Sequence, residues 1–599
     1  MSRHTYDTGI IGNGSYLAHI NRDANVTWLC WPRFDSPYVF GQLISEPERG
    51  GEFSIRPASD AYECRQTYLD NTNVLSTEFT APDGSFRVID FAPRFSQYDR
   101  YYKPLMLARK IEPVSGAPMI RVGCRPVGDY GRTQPTIQTG SNHLRFTGVG
   151  ENTRLTTDIS LNAVLESRAF ALRSPKHLAL TYGPPLEAPL AETVETFLER
   201  TVTYWRNWVL QCGVGNFHQD KVIRSALVLK LHQYDDTGAI IASSTTSLPE
   251  HFGSGRNWDY RYCWMRDSFY TLAALNNVGH FEELVRYADY IHNIAATKDH
   301  KRYRPVYSIT GQAVPDEQTL DVAGYRGERP VRLGNQAYDH IQNDVYGQIL
   351  VSLLPLYTDA RFMDTHHGAS LDLIRTLVDH IEQRFDEPDA GLWEFRNRAQ
   401  KHCYTYLFHW AGAHAAALIA RCFGDQAMLE RAERLHQRAA SEIESFHDDG
   451  LGAYTQAPGS RTMDSSLLQL ITMNYLDPTS ARADSHLRRL EAELRTDNGL
   501  FFRYLHEDDF GKPSATFLVC AYWYVEALAC VGRVDDAVAG FEKLNRYANH
   551  LGLMSEAVDD ATGSQHGNFP QTYSHVGLMN AAFRIARKLD IPDFLVNRP

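Results

Sequence analysis

The 599-residue sequence lacks several features that would assign a protein to a class at once. It has no block of basic residues, and its net charge is −12, whereas binding to nucleic acid or to an anionic membrane favours the opposite sign. No stretch approaches the roughly 18 consecutive apolar residues of a membrane-spanning helix. No nucleophile elbow and no phosphate-binding loop is present. We therefore expect neither a nucleic-acid partner nor a membrane partner.

Paired cysteines and a secretory start are also missing. The nine cysteines form no CxxC pair and are odd in number, so we expect reduced core residues rather than a disulfide framework. The first residues, MSRHTYDTGIIGNGS, lack the basic start and long apolar run of a secretory signal, which predicts a cytoplasmic protein. No metal is expected, because a consistent metal-ligand spacing is absent from the histidines His366, His367, His402, His409 and His414.

The first third of the chain has the pattern of a β domain. From Thr8 to about Tyr182, apolar residues alternate in short runs such as SYLAHI, VTWLCW, GEFSIRP, NVLSTEF and SFRVIDF, which are rich in β-branched and aromatic residues. Residues 21–25 and Asp83-Gly84 supply turns between these runs. The pattern predicts an N-terminal antiparallel β-sandwich.

The remainder has a helical period. Residues 190–211 read as one amphipathic helix, and twelve candidate helices follow. Segments that are apolar almost all round, such as 406–422, alternate with segments that carry one charged face, such as 371–384. Six of each kind predict an inner ring wrapped by an outer ring, an (α/α)6 barrel. We thus expect a multidomain β + α chain with a sandwich at 1–185, a linker helix at 186–215 and a barrel at 216–599.

One loop of the predicted barrel combines aromatic and charged residues. The run RNWDYRYCWMRD places Tyr260 and Trp264 close to Arg266 and Asp267. Aromatic rings beside forked donors and carboxylate acceptors suit a polyhydroxylated ligand. The alternative is that Asp267 only caps a helix beginning at Ser268 and that the aromatic residues fill the core.

Two further loops each contribute a carboxylate. PDAGLWEFR places Glu394 beside Trp393, and LMSEAVDDATG contains Glu556 shortly before HGNFP. A single such Glu is more often a solvated loop charge, but a pair on one barrel rim is what glycoside hydrolysis needs. One carboxylic acid protonates the leaving oxygen, and the other carboxylate attacks the sugar or activates water. Carboxyl groups about 6.5–9.5 Å apart give inversion, and groups about 5–5.5 Å apart give retention.

At these three segments the chain resembles the glucoamylase-type glycoside hydrolases of family 15, in particular the bacterial and archaeal branch of glucoamylases, α-glucosidases and trehalases. The resemblance extends over essentially the whole length. IIGNGSYLAHINRDANVTWLCWPRFDSPYVFGQLI is similar to the sandwich of that branch, and NWDYRYCWMRDS, GLWEFR, SATFLVCAYWYVEALACVGR and HGNFPQTYSHVGLMNAA are similar to its barrel segments. By position, the resemblance implies that Glu394 is the general acid, that Glu556 is the general base and that Tyr260 helps to hold the attacking water.

The same resemblance implies how the terminal glucose is held. Arg266 and Asp267 match the pair that binds its hydroxyls, and Trp264 and Trp393 match neighbouring pocket walls. The chain departs from the family pattern at two places. Phe395 stands where fungal glucoamylases carry a second Glu that contacts the leaving sugar, and Ala557-Val558 stands where many members have Gln and an aromatic residue.

The resemblance implies an inverting, exo-acting α-glucoside hydrolase that needs no cofactor. Such an enzyme releases β-D-glucose from non-reducing ends of α-glucans or of malto- and isomalto-oligosaccharides, as glucan 1,4-α-glucosidases do. An α,α-trehalase is the main alternative, because it uses the same subsite and acid. A phosphorylase would replace the base by phosphate, which Glu556 argues against, and a non-catalytic sugar-binding protein would need neither carboxylate. Linkage preference and oligomeric state stay open.

Overall fold

The computed structural model describes residues 3–297, 302–362 and 371–589. Its first part consists of antiparallel strands in three main sheets. The largest sheet has eight strands in the spatial order Thr136–Thr139, His143–Thr147, Thr153–Thr157, Lys176–Tyr182, Met106–Gly116, Gly84–Phe91, Leu75–Ala81 and Glu63–Tyr68. A four-stranded sheet contains Thr8–Gly12, Leu17–Asn21, Val26–Cys30 and Tyr38–Phe40. A three-stranded sheet contains Phe170–Ala171, Met119–Arg125 and Glu52–Pro57. A short hairpin joins Phe95–Gln97 to Arg100–Tyr102.

These sheets pack on one another as layers. Strand Glu52–Pro57 contacts Val26–Cys30 of the four-stranded sheet and Leu75–Ala81 of the eight-stranded sheet. Trp28 and Phe79 are almost wholly buried there. Burial of one large apolar side chain contributes about 1.5–3 kcal/mol to folding stability. Such buried side chains between the sheets therefore stabilise the layers. The predicted N-terminal antiparallel β-sandwich is confirmed.

A single long helix, Leu190–Leu210, follows the sandwich. It buries Val194, Trp205 and Trp208 along one face and packs on strand Lys176–Tyr182. The sequence predicts this helix within one residue at its end. The division of the chain at residues 185 and 215 stays a prediction.

Within the described residues, the second part of the chain forms six helical pairs. The inner members are Met265–Asn277, Val345–Thr358, Cys403–Phe423, Ser465–Leu468 continued by Gln469–Thr472, Leu518–Cys530 and Thr572–Leu589. The outer members are Gln219–Leu231, Glu282–Ala296, Leu371–Arg384, Gln426–Glu444, Ala481–Leu494 and Val534–Asn545. Each inner helix contacts the next, and the last contacts the first, so the ring closes. The predicted (α/α)6 barrel is confirmed.

Two helices differ from the sequence-based expectation. The helix expected near residue 338 begins at Val345, because the segment before it pairs with another loop: the Ala390 N–H donates to Ile341 O at 2.8 Å. The inner helix expected from Ser465 is one 3-10 turn followed by one α-helical turn that ends at Thr472. Asn474 then adopts a left-handed conformation with φ 59°.

The four-stranded sheet supports one of the loops that enter the barrel. Trp28 Nε1 donates to Ser244 O at 2.7 Å, and His19 Nε2 lies 2.8 Å from Ser244 Oγ. Arg261, which is fully buried, donates to Ser36 O at 3.0 Å and pairs with Asp259 at 2.8 Å. The sandwich thereby fixes the backbone on both sides of Tyr260.

Among the helices of the described ranges, none combines the length and apolarity needed to span a bilayer.

Candidate active site

One cavity is lined by all seven side chains that the sequence singles out. They are Tyr260, Trp264, Arg266, Asp267, Trp393, Glu394 and Glu556. Four of them, Tyr260, Trp393, Glu394 and Glu556, lie in loops that lead into inner helices, while Trp264 precedes helix Met265–Asn277 and Arg266 and Asp267 lie in its first turn. Since the chain enters each inner helix at the same end of the ring, residues far apart in sequence meet there.

Glu394 occupies a strained turn. Its N–H donates to Gly391 O at 3.1 Å, and its φ is +61°. A left-handed conformation costs a non-glycine residue about 1–3 kcal/mol, and such strain persists only where surrounding contacts hold it. The turn directs the side chain into the cavity, where 24% of it stays exposed.

The two carboxyl oxygens of Glu394 have different surroundings. Oε1 accepts hydrogen bonds from Trp264 Nε1 at 2.8 Å, from Arg266 Nη2 at 3.3 Å and from Gln342 Nε2 at 3.4 Å. All the hydrogen bonds that described residues donate to this carboxyl end on Oε1. Because N–H groups donate to an unprotonated oxygen, this arrangement leaves Oε2 as the oxygen that can carry a proton.

Glu556 lies immediately before strand Ala557–Val558, which pairs with both Thr516–Phe517 and Gln565–His566. Its Oε1 accepts from the Tyr260 hydroxyl at 2.8 Å, and its Oε2 accepts from the Asn568 N–H at 3.2 Å. Gly567 makes this approach possible: a Cβ there would lie 2.4 Å from Glu556 Oε2, and its φ is +75°. Ala557 and Val558 hold this segment through backbone pairing. Their difference from the Gln and aromatic residue of many family members therefore does not displace the Glu556 carboxyl.

Opposing influences act on the pKa of Glu556. Its side chain lines the cavity but the residue is only 2% exposed. Burial and the nearby charge of Glu250 raise its pKa well above the usual value, while the Tyr260 hydroxyl, the Arg503 guanidinium and the Asn568 N–H lower it. Arg503 donates to Glu250 Oε2 at 2.6 Å, and Trp258 Nε1 donates to Glu250 Oε1 at 3.0 Å. The Glu250–Arg503 pair is therefore part of the environment of Glu556.

A pair of aromatic side chains connects the two carboxyl groups. The rings of Tyr260 and Trp264 pack edge to face with their centroids 5.5 Å apart. Tyr260 donates to Glu556, and Trp264 donates to Glu394. Each carboxyl group is therefore held by a different member of the same aromatic pair, and both line the same cavity.

Arg266 and Asp267 form the polar floor. Arg266 Nη1 donates to Gln342 Oε1 at 3.1 Å, and its Nε lies 4.0 Å from Asp267 Oδ2. Burial and the charge of Glu394 raise the pKa of Asp267 to about 7, although Arg266 opposes this. The helix has Trp264 at its N-cap position, and Asp267 lies inside its first turn. The alternative that Asp267 caps a helix starting at Ser268 is therefore wrong.

The walls next to Glu394 are aromatic. The Trp393 ring packs against the rings of Tyr504 and Phe517, with centroids 5.9 and 6.2 Å away. Phe395, where fungal glucoamylases have a second Glu, is 4% exposed and packs on Tyr504 and His506. The position after Glu394 therefore offers a ring, not a carboxylate, to the part of the cavity beyond the acid.

Beyond Glu394, a cluster of charged and aromatic side chains forms the cavity mouth. Arg396 lies over the rings of Trp258 and Phe510, at 4.7 and 5.0 Å, and pairs with Glu317 at 3.0 Å. The Arg396 N–H donates to Asp509 Oδ2 at 2.6 Å. We call Trp258, Glu317, Arg396, Asp509 and Phe510 the mouth cluster. All of its members except Glu317 line the cavity.

Several residues of the site escape prediction from the sequence. Gln342, Glu250 and Arg503 are single polar residues in loops, and no local pattern marks them. Asn568 lies within the HGNFP run that carries the resemblance, but its role here is played by its backbone N–H. A motif match could have located Asn568, whereas the others follow only from the fold.

The structure also places some of the histidines examined for metal binding. His402 lies 3.8 Å from Asp389, and His409 contacts Asn343 O at 3.1 Å. His366 and His367 lie outside the described residues. Within the described ranges, no group of three or more His, Cys, Asp or Glu side chains is arranged to hold a metal ion.

Comparison with known families assigns the barrel. The model of the glycosyl hydrolases family 15 matches residues 216–583, which includes every residue that lines the cavity and all of the ring except the end of helix Thr572–Leu589. The chain belongs to glycosyl hydrolase family 15. A second model, described as trehalase-like, N-terminal, matches residues 3–163 of this family 15 protein. The chain is accordingly a glycoside hydrolase, and the resemblance seen in its motifs is confirmed.

Full-length relatives of this family 15 enzyme include archaeal and bacterial proteins. The protein named trehalase from Thermoplasma acidophilum is 32% identical over 94% of this chain and 97% of its own length. The protein named trehalase from Mycobacterium tuberculosis is 29% identical over 95% of this chain and 87% of its own length. Among solved structures, a bacterial glucoamylase complexed with acarbose superposes with a TM-score of 0.69 at 15% identity, over 99% of this chain and 96% of that one. This last similarity establishes the shared fold.

Proposed function

We propose that this family 15 hydrolase is an α,α-trehalase, which splits trehalose into two glucose molecules by a single displacement. The observation that carries the proposal is similarity to named trehalases along both domains, since the relatives match more than nine-tenths of this chain and the sandwich itself matches a trehalase-like model. The glucoamylase alternative is supported by the fold alone. The trehalase reading thus replaces glucan hydrolysis as the preferred one.

In the proposed mechanism, Glu394 is the general acid. Its three N–H donors all bind Oε1, so the proposed proton is assigned to Oε2, which accepts no hydrogen bond from the described residues and is free to face the glycosidic oxygen. As the C1–O bond breaks, its electron pair passes to the leaving glucose, whose oxygen takes the proton from Glu394. General acid catalysis of this kind contributes typically about 10²- to 10⁴-fold to the rate.

Glu556 is the proposed general base on the opposite face of the sugar ring. Hydrogen bonds to both of its oxygens, from Tyr260 and Asn568, support the ionised form that this role needs. A water oxygen forms the new bond to C1 and passes one proton to Glu556, so the cleaved glucosyl unit is released as β-D-glucose. Tyr260 would help to orient this water, a role supported by the contact of its hydroxyl with the same carboxylate.

The terminal glucose is proposed to bind over the polar floor. Arg266 and Asp267 offer forked donors and an acceptor for adjacent hydroxyls, and Trp264 and Trp393 supply the walls. The second glucose would then lie between Glu394 and the mouth cluster, where Phe395 leaves the recognition of its hydroxyls to Arg396 and Asp509.

The proposal is tested by assaying glucose release from trehalose, maltose, isomaltose, panose and soluble starch side by side, together with the variants Glu394→Gln and Glu556→Gln. We expect trehalose to give the highest kcat/KM and each variant to lose about 10²- to 10⁴-fold. Preference for maltose or starch would favour glucoamylase activity instead. Near-normal turnover by both variants would remove these two residues from the mechanism.

A further inference from the structure

The loop that carries Glu394 is held by a buried carboxylate that lies five residues before it. Asp389 is 1% exposed and accepts three hydrogen bonds. Its Oδ1 accepts from the Gly391 N–H at 2.9 Å. Its Oδ2 accepts from the Asn343 N–H at 2.8 Å and from the Thr405 hydroxyl at 3.0 Å. One side chain therefore joins three separate segments of the chain.

Each of these segments is connected to the general acid. Gly391 begins the turn that ends at Glu394, whose N–H donates to Gly391 O at 3.1 Å. Asn343 follows Gln342, which donates to Glu394 Oε1. Thr405 belongs to the inner helix Cys403–Phe423, which provides a rigid support. Asp389 thus fixes the acid and one of its hydrogen-bond donors to the same helix.

The geometry of the turn requires such a clamp. Glu394 is left-handed at φ +61°, and Gly391 is left-handed at φ +66°. A Cβ at Gly391 would lie 2.6 Å from the His402 ring, so the turn packs directly against the base of the helix. Backbone bonds from Ala390 to Ile341 and between Asp389 and Gln400 hold the two ends of the loop, and the Asp389 side chain bonds to Gly391 at the start of the turn.

We infer that Asp389 is a positioning residue that aims the Glu394 proton at the glycosidic oxygen. This inference rests on the proposed role of Glu394, not on which α-glucoside is the natural substrate. Asp389 does not line the cavity formed by the described residues, so its effect passes through the loop and through Gln342. Displacement of a catalytic group by about 1 Å can lower the rate on the order of 10²-fold.

The test uses a substrate that does not need the acid. In α-D-glucosyl fluoride the C1–F bond breaks, fluoride leaves with the electron pair and needs no proton, and water bonds to C1 as before with Glu556 taking its proton. A variant in which only the orientation of the Glu394 carboxyl is disturbed is therefore slow on trehalose but not on the fluoride. A variant with a generally damaged site is slow on both.

The decisive variant is Asp389→Asn, which keeps the shape of the side chain but replaces one acceptor oxygen by a donor. We expect kcat on trehalose to fall on the order of 10²-fold with KM little changed, and kcat on the fluoride to stay near the wild-type value. Thr405→Val removes a single donor from Asp389 and should give a smaller loss with the same selectivity. If Asp389→Asn does not fold, Thr405→Val alone carries the test.

A matched control is Thr472→Val. Thr472 is also a buried threonine of an inner helix, and its hydroxyl bonds to Gln469 Oε1, far from the acid loop in the chain. We expect it to leave the ratio of the two activities unchanged. A Thr405→Val ratio that equals the Thr472→Val ratio overturns the inference, as does an Asp389→Asn variant that loses both activities equally.

Glu394→Gln separates this inference from the proposed function. It should lose trehalose turnover and keep fluoride turnover; if it loses both, the acid assignment fails and the inference fails with it. If trehalose is not cleaved but maltose is, the same ratios are measured with maltose. In that case the choice of trehalose is wrong, while the role of Asp389 is still tested.

Discussion

The Tyr260 hydroxyl donates a 2.8 Å hydrogen bond to Glu556 Oε1, and the two residues lie 296 positions apart in the chain. The bond favours the ionised form of a carboxyl group whose burial and neighbouring Glu250 favour the neutral form. The protonation of the proposed base is thus balanced between a hydrogen bond to Tyr260 and desolvation.

Replacing Tyr260 by Phe should move the pH dependence of activity. Without the hydroxyl, the pKa of Glu556 rises further, so the acid limb of the kcat/KM profile, which reports the free enzyme, shifts to higher pH and activity at neutral pH falls. The measurement is kcat/KM for trehalose across the pH range. Tyr262→Phe is the control, because Tyr262 belongs to the same segment but is not among the described residues that line the cavity. An acid limb that stays in place would contradict the proposed balance.

Glu556→Gln should change stability in the direction opposite to its effect on activity. The pKa of Glu556 is raised from 4.5 to about 8 in the folded chain, so between these values the folded state binds more protons than the unfolded state and wild-type stability falls as pH rises. The Gln side chain does not titrate, so the variant does not lose stability in this way as pH rises. We expect the Tm of the variant minus the Tm of the wild type to increase as pH rises through this range.

The measurement is thermal unfolding of both proteins at several pH values. Glu192→Gln, at an exposed position of the helix Leu190–Leu210, is the matched control and should follow the wild type. A Tm difference between Glu556→Gln and the wild type that does not vary with pH would mean that Glu556 titrates normally.

Phe510→Ala should weaken binding of the second sugar. Phe510 packs edge to face on Trp258 with centroids 5.0 Å apart and supports Arg396, so its removal loosens the mouth cluster. An aromatic pair contributes about 0.5–1.5 kcal/mol, which corresponds to about a two- to tenfold rise in KM for trehalose. We also expect maltotriose to be cleaved better relative to trehalose, because the mouth becomes wider.

Steady-state kinetics on both sugars measure this effect. Leu210→Ala, which removes an exposed apolar side chain from the linker helix, should leave KM for trehalose unchanged. A Phe510→Ala variant that loses kcat alone would place Phe510 outside the sugar site.

The fold and the central carboxylates could be predicted because their signals are local. Short apolar and β-branched runs next to turn residues distinguish strands such as Val26–Cys30, and the apolar run Leu518–Cys530 is an inner helix buried at every position. Trp393 and a Gly-marked turn single out Glu394, but its role as the general acid comes from the resemblance of GLWEFR to the family motif and stays a prediction. The same local reading missed the shortness of the inner helix that starts at Ser465.

The residues that tune the site could not be predicted, because their partners are distant in the chain. Arg503 lies 253 positions from Glu250, and Gln342 lies 52 positions from Glu394. The sequence around Arg503 and around Gln342 does not differ from that of an ordinary polar loop. Asp389 lies close to Glu394 in the sequence, but its importance comes from the contact with Asn343, which only the closed ring of helices brings about.

The most direct test of the account follows the anomers formed from trehalose by NMR before mutarotation mixes them. Single displacement with Glu394 as acid and Glu556 as base predicts that α- and β-glucose appear in equal amounts, since the attacked unit inverts and the leaving unit keeps its configuration. Release of α-glucose alone would mean retention, and it would contradict a mechanism in which Glu556 activates water.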